Sequence, residues 1–230
     1  LKNTYHTTYQ ELVTTIAKGR AISLMAWTTT PWTLPSNLGL TIGPNIEYSV
    51  VDTFNPYTHE PCAVILASAL ISSFLKAEAA EISFDAYQPG DKLIPWKVLT
   101  TYKGSQLEGL YYHQLMPMSA NTLDKIHELT PEADPFRVIV GDFVTTEDGT
   151  GIVHTAPAFG ADDFRIGKKN NLGMLILVDR QGKFIEGVGE FSNRYVKNYK
   201  SEENYIDVNI DICVQLKKDG KAFKVEKYEH

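Results

Sequence analysis

Cysteines, basic clusters and long apolar runs are all scarce in this chain of 230 residues. Each scarcity excludes something. The two cysteines, Cys62 and Cys213, have no partners at metal-ligand spacing and lie in apolar surroundings. They read as plain buried thiols rather than a disulfide or redox pair. The six histidines are scattered, and neither His59-Glu60 nor His127-Glu128 is followed by a second histidine at zinc-protease spacing. No metal site is expected. No apolar run approaches the roughly 20 residues of a membrane span, and the stretch 63–75 is broken by serines. The opening Leu1-Lys2-Asn3-Thr4 is neither a signal nor a basic transit peptide. It lacks an initiator methionine, so a fragment of a longer chain is expected, cytoplasmic and without membrane contact. The net charge is −6, and the longest basic clusters are the pairs Lys168-Lys169 and Lys217-Lys218. Each pair suits the last turn of a helix. Tight, autonomous binding of a large nucleic acid is disfavoured; a grip on a few nucleotides is not. Also missing are a Gly-x-x-x-x-Gly-Lys-Ser/Thr phosphate loop and a Gly-x-Ser-x-Gly elbow. Gly187-Val188-Gly189 lacks the third glycine of a dinucleotide fingerprint.

What is present is an ordinary globular composition, 43% apolar and 22% charged, enough for a real core. Strands are expected at 20–28, 47–53 and 62–67, and a helix at 69–79 on its Leu, Ile, Phe, Leu spacing. Pro31 and Pro35 make 29–37 an irregular loop. Residues 81–112 hold short strands broken by glycines. The segment 113–135 carries three prolines and many polar residues, and reads as a peripheral insertion. Strands follow at 136–140 and 151–155, then a helix at 161–172. Residues 174–178 and 183–186 flank a turn at 179–182. A last helix is expected after Ser201, with Ile206, Ile210, Cys213 and Val214 as its apolar residues. The sum is one mixed α/β domain over 1–230, with a barrel-like β core of short strands and peripheral helices.

Two segments stand out. In Ala26-Trp27-Thr28-Thr29-Thr30-Pro31-Trp32-Thr33-Leu34-Pro35-Ser36-Asn37, four threonines fall within six residues between two tryptophans. Such a run offers hydroxyls that both donate and accept, on stiff β-branched side chains. Fixed hydroxyls can orient a carbonyl, a ribose or a water; they can equally be a threonine-rich strand end entering a turn. The second segment is Gly149-Thr150-Gly151-Ile152-Val153-His154-Thr155-Ala156-Pro157-Ala158-Phe159-Gly160-Ala161-Asp162-Asp163-Phe164. It reads as strand, loop, helix start. Carboxylates in a first helical turn face free N–H groups and should stay ionised. Asp162 or Asp163 can therefore hold a cation such as an α-ammonium group, or merely cap the helix. His154 can be a ligand or a satisfied strand histidine.

Together, the two segments resemble the editing insertion of the class I aminoacyl-tRNA synthetases for isoleucine, valine and leucine. His154 with Ala156-Pro157-Ala158-Phe159-Gly160 is similar to the isoleucine branch, of the eukaryotic cytosolic type. The likeness extends through Tyr102-Lys103-Gly104-Ser105-Gln106-Leu107-Glu108-Gly109, Phe136-Arg137-Val138, Gly189-Glu190-Phe191 and the final helix, nearly the whole chain. Departures are Gln114-Leu115-Met116-Pro117-Met118, extra sequence at 81–97, and Gly39 where alanine is common. Neither synthetase signature, His-Ile-Gly-His or Lys-Met-Ser-Lys-Ser, is present.

The resemblance implies an aminoacyl-tRNA ester hydrolase, without cofactor; ATP and Mg belong to the synthetic domain that this chain lacks. Its partners would be the aminoacylated 3′ end of tRNA(Ile), the valine moiety and the rest of the synthetase chain, the isolated domain being a monomer. Isoleucine and valine differ by one methylene, worth only about 1–3 kcal/mol to a binding pocket, a limit for which isoleucyl-tRNA synthetase is itself the standing example. A second pocket must then admit valine, exclude isoleucine and hydrolyse the ester. By motif position, Asp163 would hold the α-ammonium. Thr29 and Thr30, with Thr28, would orient the ester carbonyl, ribose and water. His154 and Trp32, with Ala156 and Phe159, would shape the side-chain pocket. Trp27 would support the loop rather than touch substrate. The alternatives are a valyl-type editing domain acting on threonine, or a module that docks the tRNA acceptor end without hydrolysis.

Overall fold

An apolar run at 62–67 lies at the centre of this chain. A computed structural model describes residues 1, 6–16, 20–117, 122–198, 201 and 205–227. Four strands, β1 (Ile22–Leu24), β3 (Glu47–Phe54), β4 (Pro61–Ala67) and β5 (Lys97–Lys103), form one sheet in the order β1-β4-β3-β5. β1 and β4 are parallel, whereas β3 is antiparallel to both β4 and β5. Its two central strands are covered on both faces; β4 reads as a nearly continuous apolar run, whereas β3 buries Ser49, Asp52 and Thr53 among its apolar residues. Ala63, Ile65 and Ala67 face one cluster with Val50 and Tyr48. Val64 and Leu66 face the other, with Met25, Val51 and Leu75, the period of two expected of a pleated strand.

A second sheet holds β2 (Gly39–Ile42), β6 (Arg137–Val140) and β7 (Ile152–Thr155) in the order β6-β2-β7. β2 runs parallel to β6 and antiparallel to β7, placing Leu40 opposite His154. The sheets meet at one corner. There the Trp27 N–H donates to the Ile152 carbonyl at 3.2 Å and the Ala67 N–H to the Thr150 carbonyl at 2.9 Å. The Tyr48 hydroxyl donates to the Gly151 carbonyl at 2.6 Å and accepts the Gly43 N–H at 2.9 Å. Gly151 sits at φ 73°, and a Cβ there would lie 2.5 Å from the Ala67 Cβ. Only glycine fits that crossing. The corner does not close among the described residues, so the expected barrel-like core is instead two open sheets.

Helices are α1 (Thr7–Glu11), α2 (Gly104–Leu107), α3 (Thr122–Leu129), α4 (Ala161–Lys169) and α5 (Val208–Lys218). The expected helix over 69–79 is two 3₁₀ segments instead, Ser68–Ser73 and Ala77–Glu81. Serines at 72 and 73 favour local turns over a continuing α-helix. The last helix buries Val208, Ile212 and Leu216. Ile206 and Ile210, expected on its apolar face, are 69% and 62% exposed. The buried residues at i, i+4 and i+8 form the competing stripe, and packing selected it. Segment 113–135 supplies α3, and its Met116, Ile126 and Ala133 are buried with Leu34, Leu38, Val208 and Ile212. Residues 118–121 of that segment lie outside the described residues. The expected strands around the 179–182 turn reduce to one bridge, Val178 with Phe184. Gly39 also has a reason: a Cβ there would lie 2.5 Å from Leu172 Cδ1. Cys62 and Cys213 are both free. Burial pushes the Cys62 thiol up to about 11.

Candidate active site

The threonine-rich segment leaves the first sheet after β1 and turns beside β7. Pro31, with φ preset for a helical turn, opens a 3₁₀ helix over Pro31–Ser36. The irregular loop expected at 29–37 is thus mostly this helix. Its tighter i→i+3 bonding tolerates Pro35 inside. Local hydroxyl contacts hold the turn. The Thr30 N–H donates to Thr28 Oγ1 at 3.0 Å, and Thr33 Oγ1 donates to the Thr30 carbonyl at 2.8 Å. From the far end of the chain, Asn209 Oδ1 on α5 accepts the Trp32 N–H at 2.9 Å.

Antiparallel pairing of β2 with β7 brings the second segment alongside. One cleft of about 240 Å³ results, lined by Trp27, Thr28, Thr29, Thr30, Thr33, Val153, His154, Ala156, Phe159 and Asp163. Seven of the eight residues chosen from sequence line it: Thr28, Thr29, Thr30, His154, Ala156, Phe159 and Asp163. Trp32 does not. It stands behind Phe159, the rings meeting edge to face at 5.0 Å. Trp27, expected to act only as support, lines this cleft and also a smaller one of about 90 Å³ with Phe74, Asp148 and Lys224. Thr33 and Val153 were not singled out. Thr33 was visible in the motif, but nothing in its spacing set it apart from its neighbours.

His154 is 8% exposed. Its Nδ1 lies 2.8 Å from Asn37 Nδ2 and its Nε2 lies 3.0 Å from Thr33 Oγ1. Asn37 Nδ2 also donates to the Gly39 carbonyl at 2.9 Å, so Nδ2 is the amide end facing the ring. Nδ1 therefore accepts, and the single ring proton sits on Nε2, directed at Thr33. Thr33 spends its own proton on the Thr30 carbonyl. Burial pushes the His154 pKa down from 6.5 to about 4. The ring is neutral at neutral pH with both nitrogens engaged, a wall rather than a general base.

Asp163 occupies the third position of α4, yet caps nothing there, and Asp162 does not cap the helix either. Asp163 Oδ2 accepts the Ala156 N–H at 2.8 Å. Oδ1 has no hydrogen-bond partner among the described residues. Burial raises its pKa above the ordinary carboxylate value, opposed by the Ala156 N–H and reinforced by the Asp162 charge. Asp162 instead pairs with Arg165 in solvent. The Thr29 hydroxyl likewise has no partner among the described residues. Those residues also hold no cluster of three or more His, Cys, Asp or Glu suited to a metal.

A stability prediction follows from His154. The unfolded ring titrates near 6.5 and the folded ring near 4. Between these values the unfolded state binds more protons. Stability from this group is therefore complete above about pH 6.5 and falls as pH drops toward 4, by on the order of 3 kcal/mol. Urea unfolding from pH 4 to 7.5 should show this slope in the unaltered chain and lose it in His154→Gln. Parallel profiles would mean that His154 is not the group responsible.

No family model matches the chain. The isoleucine–tRNA ligase of Cytophaga hutchinsonii is 48% identical over 229 residues, covering 90% of this chain and 20% of that enzyme. This chain is homologous to one segment of isoleucine–tRNA ligase. The isoleucine–tRNA ligase of Porphyromonas gingivalis is 42% identical over 237 residues, again 90% of this chain and 20% of the enzyme. The chain thus spans about a fifth of the length of the relatives it matches. The isoleucine branch expected from the motifs is the branch of both relatives. Among solved structures, the P. falciparum cytosolic leucyl-tRNA synthetase editing domain containing deletions of insertions 1 and 3 is 16% identical, with a TM-score of 0.48. It covers 74% of this chain and 55% of that one. No helix among the described residues is long and apolar enough to cross a membrane.

Proposed function

We propose that this chain hydrolyses the ester joining valine to tRNA(Ile), the proofreading step of an isoleucine–tRNA ligase. The observation that carries this reading is the meeting of both sequence motifs in one cleft, whose side-chain wall has no hydrogen bond to spare. Val153, Ala156 and Phe159 are apolar. His154 and Thr33 have spent their polar atoms on Asn37, on each other and on Thr30, whose carbonyl accepts from Thr33 Oγ1 and whose hydroxyl lies 3.4 Å from it. A threonine hydroxyl entering there would lose its water and find no free partner, at a cost of about 1–3 kcal/mol. This favours valine over the threonine of a valyl-type domain.

Across the cleft, Asp163 Oδ1 receives the α-ammonium. Thr29 offers its free hydroxyl to the ester, the terminal ribose or the attacking water. Thr28 and Thr30 hold it in place. Catalysis comes from positioning and polarisation, aided by the free ribose hydroxyl of the substrate. The proposed reaction uses no metal or cofactor. With a net charge of −6, the isolated chain grips whole tRNA weakly, the remaining phosphate contacts belonging to the parent enzyme.

The test is deacylation of valyl-, threonyl- and isoleucyl-tRNA(Ile) at high concentrations of this chain. Hydrolysis of the valine ester, with the isoleucine ester spared, is expected. Cleavage of threonine in preference to valine would move the chain to the valyl type. If no ester is cleaved but a non-hydrolysable valyl-adenosine analogue binds in the cleft, the chain is a docking module.

A further inference from the structure

We propose that Tyr112 is a positioning residue for the cleft, acting through Asn37 to hold the proton of His154 on Nε2. Its effect on selectivity rests on the hydrolytic reading above; its effect on the imidazole does not.

A neutral imidazole can place its proton on either nitrogen, and the neighbours decide. Here the deciding neighbour is an amide, which could present either end to the ring. Two contacts fix which. The Gly39 carbonyl, able only to accept, lies 2.9 Å from Asn37 Nδ2. The Tyr112 hydroxyl donates to Asn37 Oδ1 at 2.6 Å. The tyrosine is buried, and burial raises its pKa well above 10, so it stays a donor.

Tyr112 is itself placed with care. Its N–H donates to the Phe136 carbonyl at 2.8 Å, and its ring meets Phe136 edge to face at 6.3 Å. Phe136 adopts φ 62°, a left-handed conformation that such a residue rarely takes. Its N–H donates to the Leu38 carbonyl at 2.7 Å, one residue from Asn37. The strained turn thus closes a ring of contacts around the amide.

Without the hydroxyl, Oδ1 is a buried acceptor with no donor. The amide then leaves its place to find one, and His154 Nδ1 loses its hydrogen bond. Both neutral tautomers become populated. In the Nδ1–H form, Nε2 turns acceptor and draws the Thr33 proton away from the Thr30 carbonyl. The wall loosens where the threonine turn meets it.

The experiment is an ¹⁵N–¹H correlation spectrum of histidine-labelled chain, unaltered and as Tyr112→Phe, without substrate. Tyr111→Phe is the control, losing a comparable bond, 2.6 Å to Asp134 Oδ2, that does not reach Asn37. Phenylalanine keeps the ring packing in both. His154 should be wholly Nε2–H in the unaltered chain and in Tyr111→Phe, and a mixture in Tyr112→Phe. The ratio of valyl- to isoleucyl-ester hydrolysis should fall roughly tenfold in Tyr112→Phe only. A single Nε2–H form in Tyr112→Phe, or Nδ1–H in the unaltered chain, overturns the proposal. Hydrolysis of neither ester by the unaltered chain would defeat the hydrolytic reading alone, since the spectrum still decides the role of Tyr112.

Discussion

Asp163→Ala should lower hydrolysis of valyl-tRNA(Ile) by roughly thirtyfold to several thousandfold. Truncating one member of a desolvated charge pair costs about 2–5 kcal/mol, and each 1.36 kcal/mol is about tenfold in rate. Alanine also strips the buried Ala156 N–H of its acceptor, so a fold defect could mimic the result. Asp163→Asn separates the two effects. The amide oxygen still accepts the Ala156 N–H, whereas the negative charge that meets the ammonium is gone. Asparagine should therefore unfold at the same denaturant concentration as the unaltered chain while losing most of the activity. Asp162→Ala supplies the counterpart. Its carboxylate is 70% exposed and turned to Arg165, so activity should be retained. Full activity in Asp163→Asn would end the assignment of the ammonium to this carboxylate.

His154→Ala should begin to cleave correctly charged isoleucyl-tRNA(Ile). The imidazole is a wall with no spare hydrogen bond, so its removal adds room without removing a catalytic proton. A pocket distinguishes one methylene by about 1–3 kcal/mol, roughly ten- to two-hundredfold, and the selectivity ratio should fall within that range. The frame around the gap survives the change. Asn37 keeps its contacts with Gly39 and Tyr112, and Thr33 keeps its bond to the Thr30 carbonyl. The valine rate should drop much less than the isoleucine rate rises. Single-turnover deacylation of the two charged tRNAs reads both. An unchanged ratio would place the selection elsewhere in the cleft.

Where burial and pattern agree, the fold is legible in the sequence. β3 and β4 were expected at 47–53 and 62–67 and lie at Glu47–Phe54 and Pro61–Ala67. α4 was expected at 161–172 and ends at Lys169, because Asn171 turns left-handed at φ 53°. β2 escaped notice, since four wholly buried residues after a proline-rich turn show no alternation to detect. The face of α5 was misjudged because two apolar stripes compete on it, and only tertiary packing chooses between them. In the cleft, the motifs were visible as runs of unusual residues. Their meeting was not, for it depends on β7 lying antiparallel to β2. The roles of Asn37 and Tyr112 are further from view. An amide and a phenol 75 residues apart carry no shared signal until the fold closes on them.

The buried, neutral state of His154 bears on how speed and accuracy respond to acid. The proposed hydrolysis needs an ionised Asp163, so its rate titrates with that carboxylate. The pKa of the His154 ring, proposed as the selecting wall, is pushed by burial down to about 4. Burial thus moves the two groups in opposite directions, raising the carboxylate proposed to bind the substrate and lowering the imidazole proposed to select it, so acid acts on rate and on selection through separate side chains.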